Sequence, residues 1–339
     1  MTHNHHAMKN HGEFTMTSAY RTVQTTKAVK LINAGKVFQG GKGGKLFMRK
    51  ERDFVLREEE NNFYPSIYKG VIDYFAQNEI SWWGGKRPTG HVLSSQIACL
   101  NHLFWLRHDP DAVLAVARAV HPSFIDVFEI KSDKEGSRGY IQFEAVSNGN
   151  YLNEGKSKRG VNCTSVDALI YAAKQDGSKW LIPIEWKYTE SYGNSNKALE
   201  GHKKNPTNCK GSVRKKRYTD LINRSDQLTS SDHTCYYYEP FYQLMRQTLW
   251  AEQMIEHKND ETVKTDYFLH VHVVPGGNKN LLEKKYKCSG GKNMKETWCS
   301  LLKDQSKYHL VTPETLLGCV NRAKYGKEIE YLAKRYWDD

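Results

Sequence analysis

A single α/β unit is what the sequence predicts, and three observations predict it. Apolar residues recur at helical spacing in two stretches, 94–107 and 239–257. Between them lie short runs rich in β-branched and aromatic residues, at 140–146, 164–173 and 179–190. The composition, 39% hydrophobic and 26% charged, is that of a folded soluble chain and not a disordered one.

The first 60 residues carry little apolar periodicity. The start, "MTHNHHAMKNHGEF", lacks the apolar stretch of a secretory signal and reads as a polar tail. From Lys27 to Lys50 there are seven basic residues (Lys27, Lys30, Lys36, Lys42, Lys45, Arg49 and Lys50) and no acid. The "GGKGGK" at 40–45 is not a phosphate loop, because Gln39 and Leu46 stand where such a loop needs Gly and Ser or Thr. A flexible basic arm or a glycine hairpin is expected instead. Residues 1–60 are therefore expected as a basic, partly flexible arm and residues 61–339 as one domain.

Ile97, Leu100, Leu103 and Phe104 share a helix face, with Ser94 or Ser95 as the cap. "DPDAVLAVARAV" at 109–120 reads as a second helix entered through Pro110. "YIQFEAV" at 140–146 alternates as a strand does. The runs "TSVDALIYAA" and "KWLIPIEWKYTE" are joined by "KQDGS", whose Asp-Gly pair is a strong hairpin signal. "EPFYQLMRQTLWAEQMIEH" is an amphipathic helix, and "DYFLHVHVVP" a strand that Pro275 ends. The remainder reads as mostly helical.

A net charge of +12 points to a polyanionic partner, of which nucleic acid is the commonest. No apolar run approaches the ~18 residues that a bilayer span needs, so no membrane partner is expected. Seven cysteines without a C-x-x-C pair, and without a signal, point to a reducing cytoplasm and unpaired thiols.

The charges inside the hairpin need a reason, since a charge in a covered strand is costly. Residues two apart in a strand share a face. Glu185 and Lys187 therefore point one way, while Ile184, Trp186 and Tyr188 point the other. Asp167 lies on the neighbouring strand. Two adjacent carboxylates repel unless a cation compensates them, and Mg²⁺ prefers such oxygens, with Mn²⁺ as a substitute. A divalent cation acidifies the water it holds, and a nearby ammonium offsets charge growing on a phosphoryl oxygen. The set suits phosphodiester hydrolysis. The duller alternative is a surface ion pair, which stabilises by about 0–1 kcal/mol. Geometry separates the two: a two-residue Asp176-Gly177 turn sets Asp167 opposite Trp186, on the wrong face, so the site needs a three-residue turn or a bulge.

Asp167, seventeen residues, then Glu185-x-Lys187, on a predicted hairpin, resembles the PD-(D/E)XK superfamily of restriction-endonuclease-like nucleases. The order helix, three strands, helix, strand is similar to that family's core, and the resemblance spans about 90–275. Val166 stands where the motif has proline. The stretches "SSQIACLN", "RGVNCTSVDAL", "EWKYTESY" and "FYQLMRQTLWAEQ" resemble a bacterial restriction-endonuclease-like group. The resemblance implies a mixed central sheet flanked by helices, with helical additions at both ends. It also implies Asp167 and Glu185 as Mg²⁺ ligands and Lys187 as the catalytic lysine. An upstream third carboxylate is expected, Glu144 in preference to Glu154, together with Gln243 from the helix after the hairpin. Gln96 and Tyr192 are lesser candidates. Lys203, Lys204, Arg214, Lys215, Lys216 and Arg217 follow the hairpin and are expected to hold a phosphate backbone, while Trp82 and Trp83 can stack on bases. The expected function is a cytoplasmic, Mg²⁺-dependent DNA nuclease of restriction or defence, possible as a homodimer. RNA as substrate, a repair or recombination role, and a catalytically idle nucleic-acid-binding protein remain alternatives.

Overall fold

The computed structural model describes residues 19–83, 85–131, 138–155 and 163–337; the His-rich start lies outside them. In chain order the helices and strands begin with α1 (Ala19–Ala34), β1 (Lys45–Phe47), β2 (Lys50–Arg52), α2 (Tyr68–Gln77), α3 (Ser95–Leu103) and α4 (Pro110–Val120). The strands β3 (Phe124–Phe128), β4 (Ile130–Lys131), β5 (Arg138–Gly139), β6 (Ile141–Ala145), β7 (Val166–Lys174) and β8 (Lys179–Trp186) follow. The chain continues with α5 (Lys210–Arg224), α6 (Phe241–Glu256), β9 (Tyr267–Phe268) and β10 (His270–Val273). It closes with α7 (Lys279–Leu282), α8 (Met294–Cys299), β11 (Tyr308–Val311), α9 (Pro313–Leu316) and α10 (Arg322–Arg335).

Seven strands form one mixed sheet, with β8 at its centre. β7 runs antiparallel to β8, and β3 and β6 share the far edge of β7. On the other side β9 and β10 run parallel to β8, and β11 runs parallel to β10. The antiparallel β6–β7–β8 meander, then α6, then the parallel β10 is the restriction-endonuclease-like order expected from the sequence.

Period-2 alternation divides the sheet into two packed faces. Ala168, Ile170, Ala172, Ile182, Ile184, Trp186, Val271 and Val273 pack with the apolar sides of α3 and α4. Leu169, Tyr171 and Leu181 pack on the opposite face with Leu244, Met245 and Trp250 of α6. The two helices of the first layer start as their sequences predict. Ser94 caps α3 through the Ile97 amide, and Asp109 caps α4 through the Ala112 amide at 3.2 Å, with Pro110 at the first turn.

The β7–β8 connection is a three-residue turn. Gly177 N donates to Lys174 O at 3.0 Å and Lys174 N to Ser178 O at 3.1 Å, so Gln175, Asp176 and Gly177 make the bend. Gly177 takes φ 80°, a conformation that glycine alone adopts without strain. Asp176 Oδ1 accepts the Ser178 amide at 3.0 Å and fixes the bend. The ladder then runs from Ala173 opposite Lys179 to Ala168 opposite Ile184. This is the register the site requires.

Four features differ from expectation. Residues 19–60 include α1, whose buried Tyr20, Gln24, Ala28 and Ile32 recur every four residues, and Val37, Phe38 and Leu56 join the same core. The basic stretch after the hairpin contains α5, which buries Gly211, Tyr218, Leu221 and Ile222 and opens with a Cys209–Ser212 capping box. β11 falls in the part read as mostly helical, because four residues, Tyr-His-Leu-Val, are too few for periodicity to separate strand from helix. Cys235 and Cys288 form a disulfide across 53 residues, so the expectation of unpaired thiols fails for that pair; nothing in their local spacing announces it. Among the described residues, no helix is long and apolar enough to cross a membrane.

Candidate active site

At the open end of the hairpin, β7 and β8 part. Ala168–Ile184 is the last registered pair, and the same register carried one residue further sets Asp167 opposite Glu185. Asp167 Oδ2 takes the place of the next ladder acceptor, receiving the Trp186 amide at 2.7 Å. Glu185 and Lys187 are each 4% exposed and form a buried ion pair through Oε1 and Nζ. They sit at the sheet's centre because the parallel pairing of β10 covers β8, and Lys187 N donates to Val273 O at 2.9 Å. The bland reading as a surface ion pair does not hold for Glu185 and Lys187.

Helix α6 supplies the partners. Gln243 Oε1 accepts from Lys187 Nζ, and Gln247, one helical turn on, donates Nε2 to Glu185 Oε2. Gln247 Nε2 also donates to Ser165 O at 3.1 Å, so its Oε1 must accept from His270 Nε2, 3.0 Å away. Thr248 Oγ1 then donates to His270 Nδ1 at 3.3 Å. Burial pushes His270 down to about 4, so the ring is neutral and the tautomer follows from this network.

Glu144 reaches the same region from the end of β6. Its carboxylate accepts Gln96 Nε2 at 2.7 Å and Ser165 Oγ at 3.1 Å. Its backbone φ of 48° lies in the left-handed region, which costs a non-glycine residue on the order of 1 kcal/mol or more. That kink breaks the alternation of β6 at the point where the acid leaves the strand. Glu154 has another employment. Its carboxylate is saturated by the Thr164 amide and hydroxyl, the Tyr218 hydroxyl and Arg246 Nε at 3.1 Å. Glu154 therefore acts as a buried tie between the segment before β7, α5 and α6.

The electrostatics are those of crowded acids. Burial, then the charges of Glu185 and Glu144, hold the Asp167 proton well above the usual carboxylate range. Burial also raises Glu144, its bonds from Gln96 and Ser165 oppose this, and Glu185 adds to it. For Lys187 burial acts to lower the pKa, but Glu185 chiefly, with Tyr192, Glu190 and Asp167, outweighs it and holds the pKa well above the ordinary value. Lys187 is thus a fixed ammonium. Tyr192 stands beside it, its ring 5.9 Å from Nζ and its hydroxyl 3.5 Å from Gln243 Oε1.

Glu144, Asp167 and Glu185 stand on three neighbouring strands, and carboxylate oxygens are the donors a hard divalent cation takes. Among the described residues no three Asp, Glu, His or Cys are gathered closely enough to cage a metal. Mg²⁺ needs no such cage, since it commonly binds one or two carboxylates and retains waters. Both Glu185 oxygens are engaged by Lys187 and Gln247, so a cation on Glu185 would displace or share one of these contacts.

A cleft of about 860 Å³ opens above Glu144 and Gln243. Lys197, Arg214, Arg217 and Arg246 line it, as do Trp82, Trp83 and Gln96. Of the six basic residues expected to hold a backbone, Arg214 and Arg217 are in the wall. Arg214 is tied to Glu200 at 2.6 Å. Lys203, Lys204, Lys215 and Lys216 are exposed and do not line it. Gln247, Ser165, Lys197 and Arg246 complete the surroundings. Gln247 was readable only as part of the Gln243–Arg246–Gln247 face, and Ser165 had no signal.

A model of the family described as restriction endonuclease associating with ARP matches residues 21–337. No curated protein and no solved structure is matched by the chain.

Proposed function

The chain belongs to the family of restriction endonucleases associating with ARP, and from that premise we propose that it is a Mg²⁺-dependent nuclease that hydrolyses phosphodiester bonds in DNA. The observation that carries this reading is the three-residue turn, whose register, carried one residue past the Ala168–Ile184 pair, brings Asp167 opposite Glu185 beside the buried Lys187 ammonium, while Glu144 and Gln243 line the adjoining cleft.

In this reading Asp167, Glu185 and Glu144 would hold the cation, for which Mn²⁺ could substitute. The cation supplies Lewis acidity, which makes water a usable nucleophile at neutral pH and offsets charge on the phosphoryl oxygens. Water adds to phosphorus as the P–O ester bond breaks, and a proton lost by the water ends on the leaving ester oxygen. Lys187 does not act as the base for the water, since its ammonium holds its own proton tightly. It serves as a fixed positive charge, aimed by Gln243, that steadies the reacting phosphoryl group. Gln247 keeps Glu185 oriented. Arg214, Arg217, Lys197 and Arg246 face the cleft and would meet the DNA backbone, with Lys203, Lys204, Lys215 and Lys216 supplying a wider positive field. A restriction or defence role and a cytoplasmic location are part of the proposal.

A second reading, a catalytically idle DNA-binding protein on the same fold, draws on the Glu185 oxygens both being engaged within the protein. Incubating plasmid with the wild type, Asp167→Ala and Lys187→Ala in Mg²⁺ or Mn²⁺ separates the two. Cleavage by the wild type alone is expected. Equal cleavage by all three, or binding by all without cleavage, refutes the enzyme.

A further inference from the structure

The "GGKGGKLFMRKER" stretch has no part in the chemistry above, yet it builds a ribbon with an exposed tip that touches the cleft residue Trp83. β1 and β2 form an isolated two-stranded ribbon, with Lys45 opposite Arg52, Leu46 opposite Glu51 and Phe47 opposite Lys50. The two residues at its tip, Met48 and Arg49, have φ of 48° and 65°. A turn of this kind calls for Asn-Gly. Two bulky left-handed residues at an exposed tip are strained, and strain of that sort persists where the side chains are used.

The ribbon's base is rigid. A Cβ on Gly43 would stand 1.9 Å from Asp53 O, so the chain there is pinned backbone against backbone, and Gly44 takes φ 89° to enter β1. Its inner face is anchored by Phe47, whose ring lies 5.9 Å from Trp83 and 4.9 Å from His91. Trp83 lines the cleft, and its amide donates to Gln96 Oε1 at 3.2 Å, while Gln96 holds Glu144. A continuous chain of contacts therefore ties the ribbon to the carboxylate site.

The outer face and tip present Leu46, 67% exposed, and Met48, 66% exposed, together with Arg49 and Glu51. Holding phosphates alone would call for basic residues, not for exposed apolar groups and an acid. The set matches what base edges in the major groove of B-DNA demand. Arg or Lys pairs with guanine O6 and N7, a carboxylate accepts from cytosine N4, and apolar groups meet the thymine methyl. A two-stranded ribbon also has the width to enter that groove.

We propose that the β1–β2 ribbon reads DNA sequence in the major groove beside the cleft, with Arg49, Glu51, Leu46 and Met48 as the contacting residues. The proposal rests on the reading of duplex DNA as the substrate. It excludes A-form RNA, whose major groove is too deep and narrow for the ribbon.

The test is selection of bound sequences from a randomised duplex library by the full chain. The wild-type chain, kept in EDTA so that it does not cleave, is compared with Met48→Asn/Arg49→Gly under the same conditions. That pair of changes installs the turn's preferred residues, so the ribbon folds at least as well while the two reading side chains at its tip, Met48 and Arg49, are gone. An enriched motif that loses about ten- to hundredfold discrimination at one or more positions in the variant supports the proposal, whether or not the chain cleaves. A motif enriched equally by both, or no motif at all from a chain that binds duplex DNA, overturns the proposal and leaves the nuclease reading intact. Absence of duplex binding by either protein overturns both.

Discussion

Replacing Asp167 by asparagine makes the protein more stable at pH 8 and inactive. Asparagine keeps the acceptor for the Trp186 amide, which Asp167 Oδ2 receives at 2.7 Å, and removes the acid. Burial, Glu185 and Glu144 hold the Asp167 proton well above its ordinary range. A carboxyl whose folded pKa is raised contributes stability that is fully present at low pH, below the unfolded value near 3.9. That stability is lost as the pH rises from there toward the folded pKa. Each pH unit of displacement is worth about 1.4 kcal/mol. For 339 residues the unfolding entropy is about 0.7 kcal/mol/K, so each unit appears as about 2 °C in the melting temperature. Thermal melts of wild type and Asp167→Asn in EDTA should therefore separate at pH 8, with the variant higher, and converge toward pH 4. Adding Mg²⁺ should raise the wild type and leave the variant unchanged. Equal melting temperatures at both pH values would show that Asp167 is not the crowded acid described here.

Four other outcomes are expected. Lys187→Ala leaves the buried Glu185 charge unpaired and should cost about 3–5 kcal/mol in denaturant unfolding, with cleavage lost; a loss under 1 kcal/mol would contradict the buried pair. Glu154→Gln strips the buried countercharge from the partly exposed Arg246 and should destabilise by about 1–3 kcal/mol while Mn²⁺ affinity, read by calorimetry, stays unchanged. The converse, weakened Mn²⁺ binding with normal stability, is expected of Glu144→Gln. Reducing the Cys235–Cys288 bond, which closes a 53-residue separation, should lower stability by about 4 kcal/mol on the loop-entropy estimate, seen as an earlier melt in dithiothreitol.

The central strand is legible in the sequence because its two faces differ in kind. Ile184, Trp186 and Tyr188 are apolar where Glu185 and Lys187 are charged, and a period of two reports that directly. The helices at 95 and 110 are legible because Ser94, Asp109 and Pro110 stand at their starts. The register of the hairpin is not legible. An Asp-Gly pair serves turns of two or three residues, and what decides here is Gly177 taking the left-handed position after a bend closed by Lys174 and Ser178. The choice between Glu144 and Glu154 is equally hidden, since both are acids upstream of the hairpin. What the structure adds is that Tyr218 and Arg246, distant in sequence, engage Glu154. α1 escapes notice because its buried face includes Tyr20 and Gln24, which carry no apolar signal. The disulfide and the Gln247–His270 contact join residues 53 and 23 positions apart, beyond the reach of local pattern.

Single-turnover cleavage of an end-labelled duplex, followed against Mg²⁺ concentration for the wild type and Glu185→Gln, tests the central claim most directly. A rate that rises and saturates with Mg²⁺ in the wild type, and falls by several orders of magnitude in the variant while duplex binding persists, is the predicted result. Cleavage by Glu185→Gln at the wild-type rate, or cleavage that is indifferent to Mg²⁺ and EDTA, would contradict a hydrolytic site built on Asp167, Glu185 and Lys187.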